Sequence, residues 1–132
     1  MPVPFRDRLG KDFVISIGSI GCIELKPAEV WNELLAYLSD RAPQGIGRQT
    51  VDRLIVGSSD IGNLDSAGRF LLRRTYRDQA SIGDTVLLIG CGNRIEVWAQ
   101  EQYEIYVTNP TAYNSERKKL LQEAWSQMEQ EP

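Results

Sequence analysis

Apolar positions switch from a strand-like to a helical pattern twice along this chain. FVISIG (residues 13–18) and TVLLIG (residues 85–90) are β-rich runs, each followed by a glycine-bearing turn and then by CIEL or RIEVW as the return strand of a hairpin. After the first hairpin, Pro27 suits an opening helical position, and Val30, Trp31, Leu34, Leu35 and Leu38 form one apolar stripe. After the second, a shorter helix over residues 99–107 carries Tyr103 and Tyr106. Between them, RAPQGIGR (residues 41–48) is a loop by composition, and the next segment places Val51, Leu54 and Ile55 on one helical face. Residues 115–130 read as a last helix, with Ser115 as its cap and Leu120, Leu121, Ala124, Trp125 and Met128 as its stripe.

The two strand-and-helix stretches are copies of each other at a shift of 71 to 72 residues. Phe5-Arg6-Asp7 matches Tyr76-Arg77-Asp78, GSIGCIEL (residues 18–25) aligns with GCGNRIEV (residues 90–97), and Glu29-Val30-Trp31 matches Glu101-Gln102-Tyr103. Glu24 and Glu96 recur at one repeat position, and the alternation around them points them toward solvent or a neighbouring subunit. Trp31 and Trp98 are expected as large core residues. Gly90-Cys91-Gly92 lacks the third glycine and the strand-to-helix setting of a dinucleotide loop, and Gly92-Asn93 reads as a hairpin turn.

LDSAGR (residues 64–69) stands outside this pattern. An Asp opening a turn can accept bonds from backbone amides ahead of it, and a Gly near its end relieves a positive-φ position. Phe70, Leu71 and Leu72 then supply a strand. Two readings stay open for the pair Asp65 and Arg69. Either they merely tie the turn together, or Arg69 is presented at a strand edge, with Arg73, Arg74 and Arg77 following it, to contact phosphates or guanine edges.

Composition narrows the chemistry. With 132 residues and 42% apolar content the chain can bury one core, and no apolar run approaches the roughly 20 residues of a membrane span. Absence of histidine removes Ser-His-Asp and Cys-His activation and the common zinc sites. Cys22 and Cys91 are isolated and read as reduced, packed thiols, so neither a metal nor another cofactor is expected. No nucleophile or acid pair can be named, and the chain does not read as an enzyme. Its net charge of −3 is unevenly spread: residues 41–77 hold seven arginines against three acids, whereas residues 78–113 hold Arg94 against five acids. Such segregation suits either a solvated surface or a nucleic-acid footprint.

LDSAGRFLL together with YRDQASIGDTVLLIGCGNRIEVWAQEQYE resembles the second half of MraZ proteins, and DRLGKDFVISIGSIGCIEL resembles the later part of their first half. The resemblance implies an α+β fold with two tandem swapped-hairpin β-barrel units similar to AbrB and MazE, flanked by helices. It also implies ring-like homo-oligomers and sequence-specific binding to repeated DNA sites upstream of the division and cell-wall gene cluster. The regulator would be cytoplasmic and nucleoid-associated, with no membrane or small-molecule partner. The family's second Asp-x-x-x-Arg motif maps onto Asp65 and Arg69, and Arg73 stands where the family usually has proline. Applying the repeat shift to Leu64–Arg69 places the first motif before residue 1, so the first unit is expected to be truncated at its N-terminus. Either Met1 is an internal residue or a hairpin has been lost; the first account is preferred, because deleting a hairpin would expose a strand edge and an apolar face. The expected organisation is a truncated first unit over residues 1–43, a connecting helix and loop over 44–62, a second unit over 63–107 and a helical tail over 108–132. The tail helix is expected to dock within the assembly, on its own barrel or on the next subunit. The competing function is a ring-forming structural or interaction protein that has lost DNA binding with its first hairpin.

Overall fold

A computed structural model describes residues 1–18, 20, 22–40, 45–110 and 116–130. Among these, six helices surround one five-stranded sheet in which every pairing is antiparallel. The chain opens with α1 (Val3–Leu9), where proline in the first turn removes only an amide that the helix leaves unpaired anyway. Hairpin β1 (Asp12–Ile17) and β2 (Ile23–Pro27) leads into α2 (Ala28–Ser39). Next come α3 (Ile46–Val51), which continues as a π-helical turn over Asp52–Val56, then β3 (Asp60–Asn63) and α4 (Arg74–Gln79). The second hairpin, β4 (Val86–Cys91) and β5 (Arg94–Ala99), is followed by α5 (Gln100–Thr108) and α6 (Glu116–Gln130). No helix among the described residues is long and apolar enough to cross a membrane.

The strand order is β3-β1-β2-β5-β4, so the two hairpins meet at the centre through their return strands. Glu24 lies opposite Glu96, flanked by Ile23 opposite Val97 and Leu25 opposite Ile95, a register that is its own mirror about the two glutamates. The hairpins differ by one residue. Ile17 pairs with Ile23, while the residue pairing with Ile95 is Gly90, one position beyond the Ile89 that the sequence alignment matches to Ile17. The first turn is one residue longer, and the offset ends where the return strands begin.

One sheet face packs Phe13, Ile15, Ile17, Ile23, Leu25, Ile95 and Val97 against Leu9 of α1 and Tyr76 of α4. On the other side, α2, α3 and α6 share a core of Trp31, Leu38, Val51, Ile55, Leu121, Ala124 and Met128. A smaller cluster sets Trp98 and Cys22 beneath Tyr103 and Tyr106 of α5. The tail helix therefore docks within its own chain, on other helices. It approaches α3 so closely that a Cβ on Gly47 would lie 2.5 Å from the Ala124 carbonyl oxygen.

Several expectations need correction. Glu24 and Glu96 are each only 7% exposed, because the central position of β2 and β5 leaves no solvent-facing side beneath the helices. Phe70, Leu71 and Leu72 form no strand; Phe70 and Leu72 pack, partly buried, against the core, and the segment has no ladder partner among the described residues. Of the loop read over 41–48, Ile46–Arg48 is already helical, and residues 41–44 lie outside the described residues. Leu120 points outward at 50% exposure, while Leu121, Ala124 and Met128 carry the contact. Ser115 lies outside the described residues. Helices α1 and α4 were not foreseen, since 7 and 6 residues are too few to show a period.

Candidate nucleic-acid interface

The turn that holds Asp65 begins where a ladder ends. β3 pairs with β1 from Asp60 opposite Ile15 to Asn63 opposite Asp12, and Leu64 N–H donates to the Lys11 carbonyl at 3.2 Å. Beyond this point the chain leaves the sheet, and Asp65 closes it on itself. Its backbone N–H donates to the Arg69 carbonyl at 2.8 Å, and its carbonyl accepts from Gly68 N–H at 2.9 Å. Asp65 Oδ1 accepts from the amides of Ala67 at 2.9 Å and Arg69 at 2.8 Å, and Oδ2 accepts from Arg69 Nε at 2.9 Å. Gly68 takes φ +76°, a conformation that strains residues with a Cβ. The Arg69 amide, then its side chain and the Ala67 amide, stabilise the charged carboxylate and hold the Asp65 pKa below its ordinary value.

The turn is therefore built around one carboxylate, and its product is an outward guanidinium: the Arg69 side chain is 78% exposed. Arg73 caps α4 in an extended conformation and pairs through Nε with Asp60 Oδ2 at 2.9 Å, which ties the start of this helix back to β3. Arg74 reaches Asp78 Oδ2 at 3.7 Å on the same helix. Arg77 is exposed. Helix α4 is anchored by buried Tyr76, whose hydroxyl donates to the Ser58 carbonyl. The five residues singled out from the sequence thus all lie on the surface between the end of β3 and α4. The observed bonds show Asp65 tying the turn, with the Arg69 side chain standing outward in it.

A residue the sequence reading passed over completes the turn. Arg6 of α1 donates from Nη2 to the Ala67 carbonyl at 3.0 Å, and a groove of about 630 Å³ beside it is lined by Arg6, Lys11, Asp65 and Ser66. Its one signal in the sequence is its repeat partner, Arg77.

The sheet centre carries a second polar group. Lys26 Nζ pairs with Glu24 Oε1, Arg94 Nε lies 3.4 Å from Glu24 Oε2, Arg94 Nη2 binds Glu96 Oε2 at 3.0 Å, and Trp98 Nε1 donates to Glu96 Oε1 at 2.9 Å. A Cβ at residue 18 would lie 2.4 Å from Glu24 Oε2, so a larger residue there would displace this carboxylate. The Cys22 sulfur lies within 4.8 Å of oxygens of both carboxylates, a spacing within a metal's reach. Burial, then the charges of Glu96 and Glu24, push the Cys22 thiol well above its ordinary pKa, so it stays protonated. The carboxylates already have cationic partners in Lys26 and Arg94, and the group serves as a buried ion network joining the two hairpins.

A family model described as "MraZ protein, putative antitoxin-like" matches residues 57–123, from just before β3 into α6. A protein of Lachnoclostridium phytofermentans named transcriptional regulator MraZ is 30% identical over 104 residues, covering 79% of this chain and 73% of the relative. Proteins of the same name from Finegoldia magna and Lactiplantibacillus plantarum are 30% and 31% identical, each alignment spanning 79% of the relative. With a matched segment that includes the Asp65 turn, α4 and the whole second hairpin, and with relatives about 30% identical over most of the chain, this chain belongs to the MraZ family.

Proposed function

We propose that this protein is a sequence-specific DNA-binding transcriptional regulator in which Arg69, held outward by Asp65, makes the leading contact. The observation that carries the reading is a turn whose hydrogen bonds converge on one carboxylate and leave the neighbouring guanidinium 78% exposed. The relatives' shared name of transcriptional regulator supports it. Arg73 and Arg74 supply further phosphate contacts. Their ion pairs do not oppose this role, because pairs this exposed contribute little and exchange readily for a phosphate. Arg77 is either a further phosphate contact or a structural residue, like Arg6 in the other repeat.

One chain offers few cations, so affinity is expected from a ring-like homo-oligomer that sets several Arg69 turns along repeated sites. We place those sites upstream of the division and cell-wall gene cluster, and the protein in the cytoplasm at the nucleoid. The two copies are read as swapped-hairpin units, with residues 63–107 forming the second.

An anisotropy titration on a repeat-bearing duplex tests this. Binding is expected to weaken with salt, and Arg69→Ala is expected to lower the slope of log K against log salt by about 0.9 for each turn that touches a phosphate. Absence of binding at low salt would remove the regulator reading.

A further inference from the structure

Helix α1 grips two turns at once. Arg6 Nη2 donates to the Ala67 carbonyl at 3.0 Å while its Nε donates to the Met1 carbonyl at 2.6 Å, so the guanidinium is fixed at both ends. Two residues further along the same helix, Arg8 donates to the Gly92 carbonyl in the turn between β4 and β5. The helix itself is held to the sheet by Leu9, which is 3% exposed, and by Phe5, which packs on the same core.

The Asp65 turn is shaped to receive this grip. A Cβ on Gly68 would fall 2.1 Å from Arg6 Nε and 2.2 Å from Cζ, so the glycine both adopts the positive φ and makes room for the guanidinium. Bonds to the Asp65 carboxylate fix the turn's internal shape. The ladder stops at Asn63; Leu64 and Phe70 pack on the core at either end of the turn, and Arg6 adds a hydrogen bond from α1 to the stretch between them.

We propose that Arg6 is a positioning residue for Arg69: by holding the Ala67 carbonyl against α1, it sets where the Arg69 guanidinium stands on the molecular surface, without touching nucleic acid itself. The proposal rests on reading Arg69 as the DNA contact. The second turn held by α1 makes the helix a strut between the Asp65 turn and the Gly92-Asn93 turn, with one arginine for each.

The test uses the full chain with Arg6→Met, which keeps an apolar stem and removes the donors, alongside Arg8→Met as a control on the same helix and Arg69→Ala. Without DNA, hydrogen exchange at the Ala67 and Arg69 amides and NMR titration of the Asp65 carboxyl report the turn. With a repeat-bearing duplex, anisotropy across a salt series reports binding. Arg6→Met is expected to speed exchange in the turn, to raise the Asp65 pKa toward its ordinary value, and to weaken binding about tenfold per turn, as loss of a charge-assisted hydrogen bond would. It should leave the salt slope unchanged, whereas Arg69→Ala lowers it. Arg8→Met should leave the Asp65 turn as it was. If Arg6→Met does not fold, Arg6→Lys, which keeps a charge but not the planar fork, carries the same comparison.

Unchanged exchange and Asp65 titration in Arg6→Met would overturn the clamp. A reduced salt slope would show Arg6 to be a phosphate contact and overturn the proposal from the other side. Should the wild-type chain fail to bind DNA at low salt, the regulator reading falls, and with it the role of Arg6 in placing a DNA contact. The exchange and titration arms would then still report whether Arg6 holds the turn.

Discussion

Asp65 shows how one side chain can organise a surface. Its carboxylate accepts from two amides and one guanidinium, and the ionised form is the one that all three donors favour. Because the folded pKa lies below the ordinary value, the order this group contributes is fully present above the usual carboxylate range and is lost as pH falls through the depressed value. NMR shifts of the Ala67 and Arg69 amides, followed from neutral pH downward, are expected to hold steady through the usual aspartate range and to move together below it. Asp65→Asn should abolish that transition. Movement at the ordinary aspartate pKa would mean that the turn gains nothing from the charge. The carboxylates of Glu24 and Glu96 are placed differently, buried beside Lys26 and Arg94 rather than at the surface.

At the scale of elements, the docking of α6 depends on a few side chains. Leu121 is fully buried and packs in the cluster that α2, α3 and α6 share, so Leu121→Ala leaves a cavity that the rigid approach at Gly47 cannot collapse. The expected loss is about 2–5 kcal/mol in urea unfolding, within the range for buried leucine truncations. Leu120→Ala, one position away on the exposed side, should change stability by about 0.5 kcal/mol or less. Equal effects from both would refute the docking seen here. The stripe read from the sequence named both leucines, because a five-residue apolar set on a 15-residue helix is wider than the face one neighbour can cover. Short helices escaped that reading altogether, and α1, the helix that holds the turn, is one of them.

For the whole molecule, the sheet has two different outer edges. β3 is a four-residue strand, short enough to offer little to another chain. β4 is a six-residue apolar strand with no partner on its outer side among the described residues, and Val86 at its start is 42% exposed. An edge of this kind invites pairing with a further strand, which fits the proposed homo-oligomer. Native mass spectrometry is expected to give a multiple of the single-chain mass at neutral pH and moderate salt. A single-chain mass under those conditions would sink the ring and, with it, the additive binding to repeated sites.

What the sequence determined by itself is local. The β-rich runs FVISIG and TVLLIG, the Gly92-Asn93 turn and the Asp-to-Gly spacing of residues 65–68 each specify short-range geometry, because hydrogen bonds within a turn and the conformation of a strand involve neighbours along the chain. The repeat told that two hairpins exist. How they meet was decided in three dimensions: pairing β2 with β5 buries Glu24 and Glu96 together, a fact that no alternation could reveal, since a polar residue on a two-sided sheet has no solvent side to face. Arg69 could be named from its motif, but the bond from Arg6 to the Ala67 carbonyl in its turn spans more than sixty residues of chain and is visible only once β3 is laid against β1. Burial and long-range hydrogen bonding depend on which surfaces the fold brings together, and that is the part a pattern along one chain does not encode.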